Sequence, residues 1–376
     1  IWLMDDMGRI AYGAPENTPM TEAQERAYRI ADNKLNESAW KYEYVKEELL
    51  DLHLNGFDIT MTGFDYDIIL EEDENDDVVP EAPIEPKSKM GDIYELGRHL
   101  VICGDSTDKN VWQKIMNGRI ADMVFTDPPY NVNYSGRGKN TSEGILNDDM
   151  DKEAFDTFLD QVFGNMAEAA KAGAGWYVFH STSTQAQFER ALRNHDLLVR
   201  NQLIWNKPTA SMGWGDYRWK HEPFFYASKE GYKTIFYSDA RNKYTVIDFH
   251  DSEQKILNWA KRQLKLEKEG KFTIWTMKRD NVQDYKHPTQ KPIELITYAL
   301  VNSSKADDLV IDPFLGSGST LIACEKTKRI CAGIELDPKY MDVLVQRWVD
   351  YTGIEQVVRN GQIETWPKTK HEPRHE

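Results

Sequence analysis

The sequence predicts an α/β fold built on a parallel sheet. Two observations carry this. From residue 92 onward short apolar runs alternate with amphipathic stretches, the rhythm of strands joined by crossover helices. Near the C-terminal end a strand, a glycine turn, a helix and a second strand ending in an acid follow one another in order.

Residues 20–54 read as two helices. Thr21 and Gln24 form a capping-box pattern, and Ala23, Ala27 and Ile30 follow at helical spacing. The second helix runs from about Ser38 to Leu54, with Gly56 as its stop. An acidic, proline-containing stretch at 71–91 reads as a solvated linker between a segment at 1–70 and a main domain at 92–360. Within that domain the expected strands are 99–105, 121–130, 175–180, 197–205, 222–229, 309–314 and 330–335. Helices are expected at 151–171, 184–194, 292–302, 319–328 and 338–351. Residues 230–286 are polar, basic and aromatic and read as an insert, and 361–376 as a polar tail.

A chain of 376 residues suffices for one large α/β domain and a smaller one. No apolar run reaches the roughly 18–20 residues of a membrane helix, and no signal peptide is expected. Cys103, Cys324 and Cys331 form no CxxC pair and no disulfide framework, so a reducing cytoplasm is the expected compartment. The formal net charge of −16 is uneven. Residues 1–90 carry 22 acids and 8 bases, whereas 255–291 carry 10 bases and 4 acids. A near-neutral body with a local basic stretch is compatible with nucleic acid.

Two motifs carry the chemistry. Asp312-Pro313-Phe314-Leu315-Gly316-Ser317-Gly318-Ser319-Thr320 ends a strand and opens a helix. Glycines there let a backbone approach a ligand, and the helix start offers free N–H groups. Glu335, 23 residues after Asp312 and at the end of the next strand, is placed to accept from ribose hydroxyls. Leu321 stands where the dinucleotide fingerprint has its third glycine, which argues against a nicotinamide enzyme. The second motif is Asp127-Pro128-Pro129-Tyr130, also at a strand end. An exocyclic amine is a poor nucleophile because its lone pair is delocalised into the base. A carboxylate and a backbone carbonyl that accept its two N–H bonds push it toward a nucleophilic state. The prolines fix the turn so that Asp127 and the Pro128 carbonyl converge, and the Tyr130 ring can stack on a base.

These residues resemble the DNA amino-methyltransferase family, whose FxGxG motif binds the methyl donor and whose DPPY motif is catalytic. Their order, DPPY first with a basic insert between, resembles the β group of that family. His287-Pro288-Thr289-Gln290-Lys291-Pro292 resembles its HPTxKP element, which implies that Thr289 and Lys291 help hold the carboxylate of the donor's methionine. Asp105 resembles the acid that contacts the donor's adenine amine. Trp205-Asn206-Lys207 and the following HEPFFYASK resemble later elements of the same domain. The resemblance covers about 92–350. It implies a Rossmann-like class I fold with a mostly parallel seven-stranded sheet and helices on both faces, S-adenosylmethionine as cofactor, no metal, and site-specific methylation of double-stranded DNA. Aspartate at 127 favours N6 of adenine, since N4-cytosine members more often carry serine there.

By position, 230–286 resembles a target recognition region. Its Lys261, Arg262, Lys265, Lys268, Lys278 and Arg279, interleaved with Trp259, Phe272 and Trp275, suit phosphate and base contacts. Arg137 and Lys139, in the glycine-rich loop after the catalytic turn, suit the DNA backbone. His371 and His375 match the HExxH zinc spacing, but Pro373 breaks the helix that motif requires. Residues 20–70 resemble the end of a ParB-like domain, found fused to phage and mobile-element methyltransferases. Rival readings are an N4-cytosine methyltransferase, a protein-glutamine methyltransferase (where Asn usually precedes PPY) and a non-catalytic partition-type DNA-binding protein. Partners compatible with the main reading are double-stranded DNA, a second copy of the chain as a homodimer, and a cognate restriction endonuclease, in a nucleoid-associated setting.

Overall fold

The computed structural model describes residues 78–132, 146, 148–207, 220–237, 274–276 and 290–369, two short strands at the N-terminal end and isolated positions between 21 and 62. The chain divides into two units, Ile1–Glu71 with Tyr237–Phe272, and Glu72–Phe236 with Thr273–Glu376. In the first, β1 (Trp2–Met4) pairs antiparallel with β2 (Ile10–Gly13). Ala27, Ile30, Val45, Leu49 and Leu52 are buried, and Arg26 donates to Glu48 at 2.8 Å.

The second unit is built on one sheet. Its strands in chain order are β3 (Ile93–Leu96), β4 (His99–Cys103), β5 (Ala121–Thr126), β6 (Ala170–Phe179), β7 (Leu197–Asn206), β8 (His221–Lys229), β9 (Ile274–Thr276), β10 (Leu309–Asp312), β11 (Ile330–Glu335), β12 (Gln356–Arg359) and β13 (Gln362–Thr365). In space they lie β13-β12-β3-β4-β11-β10-β5-β6-β8-β7-β9. β4, β11, β10, β5 and β6 run parallel, and β8 runs against both of its neighbours. The parallel centre is as the sequence predicts, but among the described residues five of the ten pairings in this sheet are antiparallel, and the expected seven strands are exceeded. Seven adjacent strands, β4 to β7, correspond to the runs read from sequence, and the edges add β3, β12, β13 and β9. These additions are three or four residues long, too short to show a period of two.

Six helices are described in this unit: α1 (Lys109–Met116), α2 (Lys152–Ala169), α3 (Gln185–Asn194), α4 (Ile293–Ser303), α5 (Ser319–Lys326) and α6 (Pro338–Thr352). Side-chain caps start three of them. Asp108, Asp151 and Asp337 accept from the backbone N–H groups of Asn110, Ala154 and Lys339, each cap contributing about 1 kcal/mol. Successive strand residues face opposite ways. Ile102, Val124, Ile311 and Ile334 join Trp112, Phe155, Leu159 and Phe163 in the core under α1 to α3. Val101, Phe125, Val310 and Cys331 alternate with them and are buried on the other face, where α4 meets β5 and β6 and α6 meets β4 and β11.

Two boundaries move. The stretch read as a solvated linker ends inside the fold: Ser88 is buried, and its N–H donates to Asp342 at 3.0 Å. The polar tail begins later than 361, because Gln362–Thr365 form β13 and Trp366 packs edge-on against Tyr94, 6.2 Å between centroids. Both corrections rest on partners that are remote in sequence or carried on very short strands.

Candidate active site

The carboxyl ends of parallel strands supply most of the site, as is general for open α/β sheets. Glu335 and Asp312 are the last residues of β11 and β10. Asp105 lies two residues beyond β4, and Asp127 directly follows β5. Because β8 runs the other way, its start reaches the same edge. Trp205 near the end of β7 is paired with Glu222.

The glycine turn between β10 and α5 is held from within. Asp312 accepts from the Phe314 N–H at 3.0 Å and from the Thr320 hydroxyl at 2.6 Å. The buried Arg347 guanidinium of α6 donates to the Ser317 carbonyl and the Ser319 hydroxyl, both at 3.2 Å. Asp312, Thr320, Ser317 and Ser319 are thus engaged in shaping the loop, and Pro313 is buried beneath it. Phe314 packs on Phe158 of α2, with centroids 5.9 Å apart. At φ +51, Gly316 has open space where a side chain would project. Gly318 has φ +85, and a Cβ there would lie 2.9 Å from Leu344 Cβ. Gly318→Ala should therefore cost roughly 2–4 kcal/mol, adding left-handed backbone strain to overpacking. Denaturant melts measure this.

Glu335 accepts from the Gly316 N–H at 2.7 Å and the Asp337 N–H at 2.8 Å, so it ties the glycine turn to the next strand. Burial pushes the carboxyls of Asp312 and Glu335 up to about 7. A carboxyl whose pKa rises on folding stabilises the fold in its neutral form. That contribution is complete below the unfolded values near 4 and is lost as pH rises through about 7. Thermal midpoints of the donor-free protein should fall between pH 5.5 and 8, and Glu335→Gln should reduce the fall.

Asp127 sits in a buried charge cluster. Lys291, just before α4, donates to Asp127 Oδ2 at 2.5 Å and lies 2.9 Å from Glu222 Oε1. The Tyr130 hydroxyl is 2.5 Å from Asp127 Oδ1 and 2.6 Å from Glu222 Oε1. Lys207, one residue past β7, lies 2.5 Å from Glu222 Oε2. Burial raises the Asp127 carboxyl above its ordinary value, against the lowering pull of Lys291. Burial acts on Glu222 in the same sense, but Lys291 and Lys207 outweigh it and hold that carboxyl below the usual range. The Tyr130 ring is half-buried and packs edge-on against Phe188, 6.4 Å between centroids. Pro128 is buried and Pro129 half-buried in the turn.

The sequence-predicted acids and both motifs therefore meet along one edge of one sheet. The N6_N4_Mtase family, described as DNA methylase, matches residues 121–346, which span both motifs. The chain belongs to this DNA methylase family. A relative described as type II methyltransferase M.HinfI, from Haemophilus influenzae, is 27% identical over 267 residues, 66% of this chain and 68% of that one. Type II methyltransferase M.BglII from Bacillus subtilis is 23% identical over 298 residues, 73% of this chain and 74% of that one. The crystal structure of an M1.HpyAVI–SAM complex aligns with a TM-score of 0.45 at 20% identity, covering 66% of this chain and 97% of that one.

The methyl donor of this DNA methylase is S-adenosylmethionine. The residues present fit it. A cleft of about 560 Å³ is lined by Asp105, Thr107, Phe158 and Gln161, among others. Its wall at Phe158 continues to Phe314 of the glycine turn. Asp105 accepts from the Thr107 N–H and hydroxyl, both at 2.8 Å, which fixes its carboxyl at the cleft. Each Glu335 oxygen accepts one backbone N–H and keeps a second lone pair for a ribose hydroxyl.

Thr289, Arg137, Lys139, Lys261, Arg262, Lys265, Lys278 and Arg279 lie outside the described residues, as does the HExxH match. Lys291 is inside them and is seated on the Asp127 carboxylate. Trp205 is core, as its composition suggests, at 1% exposure. Glu222 and Lys207 lie in the HEPFFYASK and Trp205-Asn206-Lys207 elements, but no sequence motif gives either residue a role. The available signal was an acid opening an otherwise apolar strand.

Proposed function

We propose that the protein transfers a methyl group from S-adenosylmethionine to N6 of adenine at specific sites in double-stranded DNA. The observation that carries this reading is the Asp127 carboxylate, held beside the Tyr130 ring at the edge where the glycine turn and Glu335 also lie. Aspartate rather than serine at 127 supports adenine.

A paired base has its amine committed to its partner, so the target must leave the stack. The Tyr130 ring offers that base a face. Asp127 and the Pro128 carbonyl accept its two N–H bonds and aim the nitrogen lone pair. Bound S-adenosylmethionine supplies a methyl group on a positively charged sulfur. Glu335 and Asp105 orient the donor from its ribose and adenine and Thr289 from its carboxylate, whereas Lys291 is engaged by Asp127 and Glu222. Positioning supplies most of the rate. Arg137, Lys139, Lys261, Arg262, Lys265, Lys278 and Arg279 contact DNA in this reading. The ParB-like N-terminal segment is an appended part, the compartment is the bacterial cytoplasm, and a cognate endonuclease reads the same site.

Incubation with tritiated donor and DNA, followed by nucleoside analysis, tests the proposal. Label in N6-methyl-2′-deoxyadenosine is expected. Label in N4-methylcytosine would move the target to the other amine, and label in protein alone would reject DNA as substrate.

A further inference from the structure

Both oxygens of Asp127 are engaged within the protein, Oδ1 by Tyr130 and Oδ2 by Lys291. Each oxygen keeps a second lone pair, so an incoming amine can bind beside these donors, but a carboxylate that turns to face the amine must loosen at least one of them. Releasing a buried ammonium or hydroxyl with nowhere to go would cost a full desolvation penalty. Glu222 Oε1 lies within hydrogen-bond distance of both of those donors, at 2.6 Å from Tyr130 Oη and 2.9 Å from Lys291 Nζ. Its other oxygen is fixed by Lys207 at 2.5 Å. Tyr130 has a single hydroxyl hydrogen and two carboxylate neighbours, so it already has to choose between them.

We infer that Glu222 is a positioning residue: a second seat for Tyr130 and Lys291, which lets Asp127 turn from its internal partners to the target amine. This rests on the proposed amine methylation and adds to it a residue that never touches substrate. Glu222 belongs to neither motif and comes from the one strand of the core that runs backwards.

The inference predicts opposite pH behaviour for two variants. Among the described residues, the charged and titratable groups around Asp127 are Lys291 before α4, Tyr130 in its own turn, Glu222 opening β8, Lys207 after β7, Asp312 ending β10 and His180 after β6. His180 is held neutral, its imidazole pushed down to about 4 by burial. With Glu222→Gln the seat loses its charge, and Lys291 settles on Asp127 alone. Asp127 then ionises more readily, and the acid limb of kcat moves to lower pH. With Lys207→Met, Glu222 draws Lys291 more strongly, Asp127 loses its cation, and the acid limb moves up.

The experiment is single-turnover methylation of DNA by the full chain from pH 5 to 9, with S-adenosylhomocysteine binding by calorimetry as the check of folding. Glu222→Gln should slow transfer roughly tenfold to a hundredfold while still binding S-adenosylhomocysteine. Tyr130→Phe, which removes one of the two donors, should make the added Glu222→Gln change less costly than it is alone. Unshifted acid limbs in both single variants, or additive losses in the double variant, would overturn the inference. Should Glu222→Gln fail to fold, the upward shift in Lys207→Met, at a more exposed side chain, decides alone. Wild-type protein that transfers no label to DNA would instead defeat the proposed function, so the two failures are distinguishable.

Discussion

Asp127→Ala is expected to reduce methyl transfer to DNA by roughly 100- to 1,000-fold or more, the scale seen when one electrostatic contact to a reacting centre is removed, with S-adenosylhomocysteine still bound. The separation follows from where the residues sit. Donor contacts are assigned to Glu335, Asp105 and the glycine turn at β11, β4 and β10. Asp127 directly follows β5 and is assigned to the target amine. Without its carboxylate the amine keeps its delocalised lone pair, and Lys291 turns wholly to Glu222. Asp127→Asn is the informative control: it retains an acceptor oxygen without the charge and should fall between the two. Single-turnover rates and calorimetric titration with S-adenosylhomocysteine measure both arms. Full turnover in Asp127→Ala would remove the catalytic assignment.

Lys291→Met should be the most destabilising change in the site, by roughly 3–5 kcal/mol near pH 8, because it leaves a buried carboxylate without its counter-charge. Glu222 keeps Lys207, but among the described residues Asp127 keeps only the Tyr130 hydroxyl. The penalty should shrink toward pH 5.5. Burial already raises the Asp127 carboxyl, and removing the cation raises it further, so a proton can neutralise it as pH falls. Stability of the variant relative to wild type is thus lost as pH rises. Urea melts at the two pH values check the sign. An equal penalty at both would mean that Asp127 is not the uncompensated group.

The readability of this protein from its sequence follows from what each feature requires locally. Asp127-Pro128-Pro129-Tyr130 and Phe314-Leu315-Gly316-Ser317-Gly318 are legible because prolines and glycines fix backbone shape within a few residues. The central strands are legible because each is a nearly continuous apolar run. Glu222 was not legible as a site residue. Its role depends on the reversed direction of β8, on its pairing with Trp205, and on a lysine 69 positions later. The same holds for Arg347, whose grip on the glycine turn spans 30 residues. Ser88 looked solvated because its partner, Asp342, is 254 residues away. Asp312 was expected at the donor, yet its oxygens serve the Phe314 N–H and the Thr320 hydroxyl; composition cannot tell a ligand from a brace.

The antiparallel lie of β8 between β6 and β7 makes the chemistry sensitive to length in an unexpected place. Along that strand, Phe225 and Ala227 belong to the core on the α1-to-α3 side, while Glu222, Phe224 and Tyr226 alternate with them. Deleting one residue between Phe224 and Ser228 would rotate everything upstream by half a pleat. The acid would then trade places with Pro223 or His221, and two lysines would lose a common anchor without any change to either signature motif. Grafts meant to redirect which DNA sequence is marked therefore need to preserve the count of residues in this strand as strictly as they preserve the catalytic turn.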